Sequence, residues 1–207
     1  MARKIDPLKR ESILRAGRTV FLRDGYAAAK MSDIAAEAGV APGTLYLYFD
    51  SKEVLAGAIG EDFFSRLSRE FTEVIAEVDK PNGIRHLVDW TLRIASEERD
   101  LLKLLKQQQH QPGQCHEEDQ NGPKVVFHRQ MSAGLKRLME RQGVRQYDAD
   151  ALAAVVMSIL SGLMMSSIYT EQSHTEKMKV AAVKLLEHAL FEDGAVRSTV
   201  PVSVATG

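Results

Sequence analysis

The residues best suited to chemistry lie between 30 and 52. Two short helical stretches, 33–38 and 42–48, are separated only by Gly39-Val40-Ala41. Two short helices joined by a tight glycine turn make a helix-turn-helix. Gly39 can take the left-handed backbone that such a turn requires. Ile34, Ala35, Ala38, Val40 and Leu45 supply a small core to fix the angle between the helices. Gly43 lets another backbone or a phosphate come close. Thr44, Tyr46, Leu47 and Tyr48 offer hydroxyl and ring groups on a helix too short to bury them all. In a unit of this kind the second helix lies in the major groove of DNA, its first residues touching base edges. Lys30 and the pairs Arg3-Lys4 and Lys9-Arg10 can reach phosphates from the flank.

Other combinations are weaker. His110, Cys115, His116 and Glu117-Glu118-Asp119 are possible ligands for a soft or borderline cation. Their spacing matches no metal motif and they fall in a polar stretch, so they read as a loop, with no metal and no cofactor expected. No Gly-x-Gly-x-x-Gly, phosphate loop, His-Glu-x-x-His or Gly-x-Ser-x-Gly occurs, and no catalytic residue is expected. The chain reads as a non-enzyme.

The elements that must hold the motif have their own signals. Asp6 can cap a first helix with Pro7 in its first turn, and Gly25 ends it. Ile13, Ala16, Gly17, Val20 and Phe21 form its apolar stripe. Ser32 is placed to cap stretch 33–38. Asp50-Ser51-Lys52-Glu53 resembles a capping box opening a long helix to about residue 78. Further helices are expected over 84–96, 101–109, 125–142, 150–169 and 175–191, the last opened by Ser173-His174-Thr175-Glu176. Stretch 111–123 reads as a loop and 194–207 as a frayed tail.

No segment alternates long enough for a strand, and the expectation is an all-α protein of about nine helices. At 44% hydrophobic and 27% charged the composition is that of a folded globular protein. A single cysteine excludes an intrachain disulfide framework and multi-cysteine zinc motifs. The opening residues lack the apolar run of a signal peptide, which points to the cytoplasm. Charge is segregated: residues 1–30 carry eight Lys/Arg against three Asp/Glu, and the remainder nineteen against twenty-five. A basic head on an acidic body approaches DNA with one end.

Residues 13–59 resemble the DNA-binding domain of the TetR family of transcriptional regulators. The likeness rests on Phe21-Leu22-Arg23-Asp24-Gly25-Tyr26, on Met31-Ser32-Asp33-Ile34-Ala35-Ala36-Glu37-Ala38-Gly39-Val40, and on Gly43-Thr44-Leu45-Tyr46-Leu47-Tyr48-Phe49-Asp50-Ser51-Lys52-Glu53-Val54-Leu55. It implies phosphate contacts by Ser32, Tyr48 and Lys52. Pro42, Gly43, Thr44, Tyr46 and Leu47 would fall on the recognition helix. Leu47 departs from a polar, often histidine, residue of the family; it cannot donate to a base but can pack on a thymine methyl, which leaves base preference open. Ala41 replaces a frequent capping Ser or Thr. Phe49 reads as core.

The domain division expected is 1–55 for DNA binding, 56–193 for effector binding and dimerisation, and 194–207 as tail. Residues 151–168 carry no charge, long enough to span a membrane, but four serines and no basic flank favour a buried interface helix. Ala154, Ser158, Gly162 and Ser166 form a small-residue stripe on it. With Met178, Ala182, Leu185 and Ala189 of the last helix they could build a four-helix bundle between two chains. The resemblance implies a ligand pocket among the middle helices, with Trp90, Leu101, Leu104, Leu105, Phe127, Met131, Met157, Met164 and Met165 as candidate lining. The function implied is a homodimeric repressor that binds a palindromic double-stranded operator and is released by a small, largely apolar effector, with no membrane partner. The alternative is a DNA-anchoring protein of the same fold that senses no small molecule.

Overall fold

The computed structural model describes residues 6–108, 123–140 and 144–191. Among them the chain is helical: α1 (Pro7–Asp24), α2 (Met31–Glu37), α3 (Pro42–Tyr46), α4 (Lys52–Ala76), α5 (Gly83–Glu97), α6 (Arg99–Gln108), α7 (Pro123–Met139), α8 (Ala149–Ser167) and α9 (Gln172–Leu190). An antiparallel bridge joins Val144 and Phe191. The clusters expected around His110 and Cys115, the Arg3-Lys4 pair and the tail 194–207 lie outside the described residues.

The helices gather into two compact units. The first takes in Met1–Leu67 and Glu98–Pro123, the second Ser68–Glu97 and Lys124–Gly207. The sequence reading divides the chain after residue 55, whereas the units divide α4 itself and place α6 with the N-terminal helices. Packing explains the difference. α6 lies against α1, the Arg18 guanidinium pairs with the Glu98 carboxylate, and a Cβ added at Gly60 would come within 3.1 Å of Leu105.

Local signals set most helix ends in the first unit. The Asp6 carboxylate accepts from the Leu8 N–H at 3.0 Å, and Gly25, at φ 80°, donates its N–H to the Phe21 carbonyl. Ile13, Val20 and Phe21 are fully buried along the expected stripe. Gly17 sits where a Cβ would approach Leu55 to 3.0 Å, so α1 and α4 meet at a residue without a side chain. Gly39, at φ 67°, makes the turn after α2.

Three caps differ from expectation. α2 begins at Met31 with Lys30 in the capping position, so Ser32 lies inside the helix and its hydroxyl meets Asp33 at 3.2 Å. At α4 the cap is Ser51 rather than Asp50, its Oγ accepting from the Val54 N–H at 3.3 Å. The capping box at Ser173 does not form; α9 starts at Gln172, and Thr175 Oγ1 donates to the Glu171 carbonyl. At α2 and α9 it is Lys30 and Glu171 that hold the extended backbone before the helix, and a capping side chain works only from there.

In the second unit α8 packs on α5 and α9, and α5 on α9. An ion pair of 2.6 Å ties Lys179 to Asp89. Phe71 stacks on Phe127 with centroids 4.1 Å apart, and Trp90 lies 5.5 Å from Phe71. Gly134 of α7 faces Ile75 of α4 so closely that a Cβ there would come within 2.1 Å of Ile75 Cγ1. Gly57 of α4, by contrast, is exposed with nothing within 4 Å of such a Cβ. Gly134→Ala should therefore destabilise by about 1–3 kcal/mol through overpacking. Gly57→Ala should stabilise by about 0.5–1 kcal/mol through helix propensity. Urea unfolding of the two variants reads the sign of each difference.

Candidate nucleic-acid interface

The interface is assembled from α1 to α4 within the first unit. Ile34, Ala35 and Leu45 are fully buried, so α2 and α3 are locked together by three side chains. Ala38 and Val40 close the edge of this core and are half-buried. α3 starts at Pro42 after an Ala41 that offers no side-chain cap. It ends sooner than expected: Leu47 and Tyr48 donate their N–H groups to carbonyls three residues back, at Thr44 and Leu45. The tightened turn leaves Tyr46 and Leu47 outward, 50% and 62% exposed. Pro42 and Gly43 are exposed and Thr44 is half-buried. Lys30 and Ser32 are exposed at the start of α2. Phe49 is core, as expected, with the Arg10 guanidinium 5.6 Å above its ring.

Two of the expected phosphate ligands are already engaged. The Tyr48 hydroxyl accepts from the Asp6 N–H at 3.1 Å, tying the end of α3 to the start of α1. A hydroxyl that accepts still has its hydrogen to donate, so this contact leaves a proton for a phosphate oxygen. Lys52 is held more firmly. Its ammonium donates to the carbonyls of Tyr26, Ala27 and Ala29 at 2.8, 3.3 and 3.2 Å. It also lies 4.6 Å from the centre of the Tyr26 ring. All three donors of the ammonium are therefore directed into the α1–α2 connection.

Tyr26 and Glu53 complete this cluster, and the sequence reading did not single them out. The Tyr26 hydroxyl donates to Glu53 Oε1 at 3.1 Å, and its ring packs 5.3 Å from Phe21. Burial, and then the hydrogen bond to Glu53, push the Tyr26 phenol up to about 12. Hydrogen bonds from its own backbone N–H and from Ser51 lower the Glu53 carboxyl. An aromatic after a glycine turn signals a buried ring; only the fold brings it to residues 52 and 53.

The expected effector lining separates. Leu104 and Leu105 belong to the first unit, Leu104 buried and Leu105 half-buried, and Leu101 is buried there too. Trp90, Phe127, Met131, Met157, Met164 and Met165 belong to the second. Phe127 and Met131 are buried core, while Trp90 and the other three methionines are half-buried. A concavity of about 510 Å³ opens on the second unit between Glu73, Val74, Glu77, His86, Asp89, Trp90 and Arg93. Its charges are largely paired: Arg93 with Glu70 and Glu97, Asp89 with Lys179, Glu77 with Lys80. It shares only Trp90 with the expected lining; Phe127 is buried against Phe71 and Trp90.

Of the residues expected at a dimer contact, Ala154, Ser158, Gly162, Ser166 and Leu185 are exposed. Met178 and Ala189 are half-buried, and Ala182 is turned into its own unit. Val155 and Leu185 stand out as large apolar side chains 56% and 58% exposed. α8 is also long and apolar enough to cross a membrane by length and composition.

The sequence model for bacterial regulatory proteins of the tetR family matches residues 13–59, the stretch that builds this interface. Over this stretch the chain is similar to the TetR family. The HTH-type transcriptional repressor DhaR of Mycobacterium sp. (strain GP1) is 35% identical to this chain over 72 residues, 35% of this chain and 36% of DhaR. The repressor BepR of Brucella suis biovar 1 (strain 1330) is 24% identical over 180 residues, 79% of this chain and 82% of BepR. The chain spans between about a third and a half of the length of the first curated relatives it matches. The SmeT–triclosan complex shares the fold at a TM-score of 0.65 and 18% identity, covering 97% of this chain and 98% of SmeT.

The phenol of Tyr26 gives a pH test. Its folded-state pKa lies above the ordinary value of 10.0, so its contribution to stability is whole below about pH 10 and is lost as pH rises through about 12. Absorbance titration of the folded protein should show a late-ionising tyrosine near pH 12 that Tyr26→Phe removes. Ionisation of every tyrosine near 10 would contradict the Tyr26–Glu53 bond.

Proposed function

We propose that this chain is a cytoplasmic, homodimeric repressor of the TetR family that binds an inverted-repeat operator and is released by a small, largely apolar effector. The observation that carries the reading is the display of Thr44, Tyr46 and Leu47 on a short helix whose inner face is sealed by Leu45. Such a helix in a helix-turn-helix enters the major groove. Around it Lys30, Ser32 and Tyr48 offer donors for phosphate, which supplies affinity that falls steeply with salt.

The exposed faces of α8 and α9 support dimerisation. Ala154, Val155, Ser158, Gly162 and Ser166 on one helix and Val180 and Leu185 on the other form outward stripes, and nothing of the chain lies within 4 Å of a Cβ built at Gly162. A mid-helix glycine with no need inside its own chain suits the close approach of a second helix. Two recognition helices then meet one half-site each.

For sensing, SmeT was solved with triclosan, which supports a small-molecule ligand for a chain of this fold. α4 carries residues of both units and α6 follows α5 after Glu98, so the chain itself links effector and DNA-binding elements. An effector that lowers DNA affinity has its own affinity lowered by DNA to the same factor. The second reading, DNA anchoring without a sensor, draws on the close packing of Phe71, Trp90 and Phe127.

Selection of bound duplexes from a random library at near-physiological salt tests the proposal. The wild type should enrich an inverted repeat, and Leu185→Glu should be monomeric and lose most of that affinity. No enriched sequence from a folded, dimeric protein would overturn the repressor reading. A dimer unaffected by the exchange at residue 185 would place the interface elsewhere.

A further inference from the structure

The side chains on α3 have an unusual chemistry for a helix that must tell bases apart. From Pro42 to Leu47 the residues are Pro, Gly, Thr, Leu, Tyr and Leu, without an amide, a carboxylate, a guanidinium or an ammonium group. Those are the groups that make paired hydrogen bonds to base edges: Arg or Lys to guanine, Asn or Gln to adenine, Asp or Glu to cytosine. α3 therefore lacks the means for strong hydrogen-bonded readout. What it displays is apolar surface. Leu47 is 62% exposed and Tyr46 beside it 50% exposed, while the preceding residue, Leu45, faces the core and is fully buried. Gly43 adds clearance on the same helix, since a Cβ there would meet nothing of the chain within 4 Å. In the major groove the one apolar group among the four bases is the thymine C5-methyl.

We infer that Leu47, with the ring of Tyr46, reads thymine methyl groups, and that this chain selects half-sites by apolar contact instead of hydrogen bonds from α3. The inference rests on the operator-binding reading above and specifies the chemistry of its target. Leu47 is a specificity-determining residue: its isobutyl group, left in water by the free protein, is covered when a methyl faces it and meets a polar base edge otherwise. The Thr44 and Tyr46 hydroxyls can each donate or accept, so they suit either kind of base edge and add little discrimination. Selectivity of this kind is graded, because one buried methyl corresponds to about fourfold in affinity. It accumulates over several thymines per half-site.

The test replaces thymine by deoxyuridine, which removes the methyl and keeps every hydrogen-bonding group. The duplex is the one the wild type selects from a random library, with uracil placed at one thymine position of both half-sites at a time. Affinity of the wild type should fall by about fourfold for each methyl removed at one or two positions per half-site. In Leu47→Ala, an exposed change that leaves the core intact, the same uracil exchange should cost nothing. Uracil at every half-site thymine without loss in the wild type overturns the inference and leaves the regulator reading standing. A loss that persists unchanged in Leu47→Ala also overturns it, by assigning the methyl to another residue. Failure to select any duplex removes the operator reading itself, and this inference with it.

Discussion

The first unit depends on one local constraint: a half-buried lysine ammonium shared by three backbone carbonyls. Residues 25–30 cross from α1 to α2 outside any helix, with the Gly25 and Ala29 N–H groups bonded to the Phe21 and Gly25 carbonyls, and a connection of that kind leaves other backbone acceptors to be satisfied. Lys52 satisfies three of them from the first turn of α4 and rests on the Tyr26 ring as it does so. A neutral side chain would leave those carbonyls to water and free the connection to move. Because α2 starts at the last of these residues and α3 is locked to α2 through Ile34 and Leu45, the position of Lys52 sets the position of the recognition helix. Tyr48 adds a second tie, to the start of α1.

From that anchor the functional logic runs outward. The inner faces of α2 and α3 are filled, so their outer faces are free to be chosen for DNA alone. Tyr46 and Leu47 are thereby exposed at no expense to packing. The same division of labour appears in the second unit, where α8 buries Val156, Leu160 and Leu163 against its own neighbours and leaves Ala154, Ser158 and Gly162 outside. Each helix fills one face with its own core and leaves the other exposed.

Much of this was legible in the sequence because local rules decide it. Asp6, Pro7 and Gly25 mark α1 without reference to the rest of the fold, and Gly39 marks the turn. Pattern also exposes the α8 stripe, since smallness at every fourth residue has few other uses. What was not legible depends on residues distant in the chain. Lys52 looks like a free cation beside the recognition helix until the carbonyls of residues 26–29 fold over it. Trp90 and Phe127 look like pocket lining until both are seen packed on Phe71 and on each other. α6 reads as part of the effector domain until Arg18 and Gly60 are found against it. Ala182 follows the same helical spacing as Leu185 but turns inward, because a three-residue step on α9 crosses the edge of the buried face.

The central claim is that Lys52 organises the helix-turn-helix from within, in contrast to acting as a phosphate ligand at its surface. Amide hydrogen exchange over residues 31–48, compared between the wild type and Lys52→Met without DNA, tests it most directly. Loss of the charged hydrogen bonds, worth about 1–3 kcal/mol, should speed exchange across α2 and α3 by about ten- to a hundredfold where opening is local. Identical protection in the two proteins, with DNA affinity alone reduced, would contradict the clamp and return Lys52 to the surface of the operator.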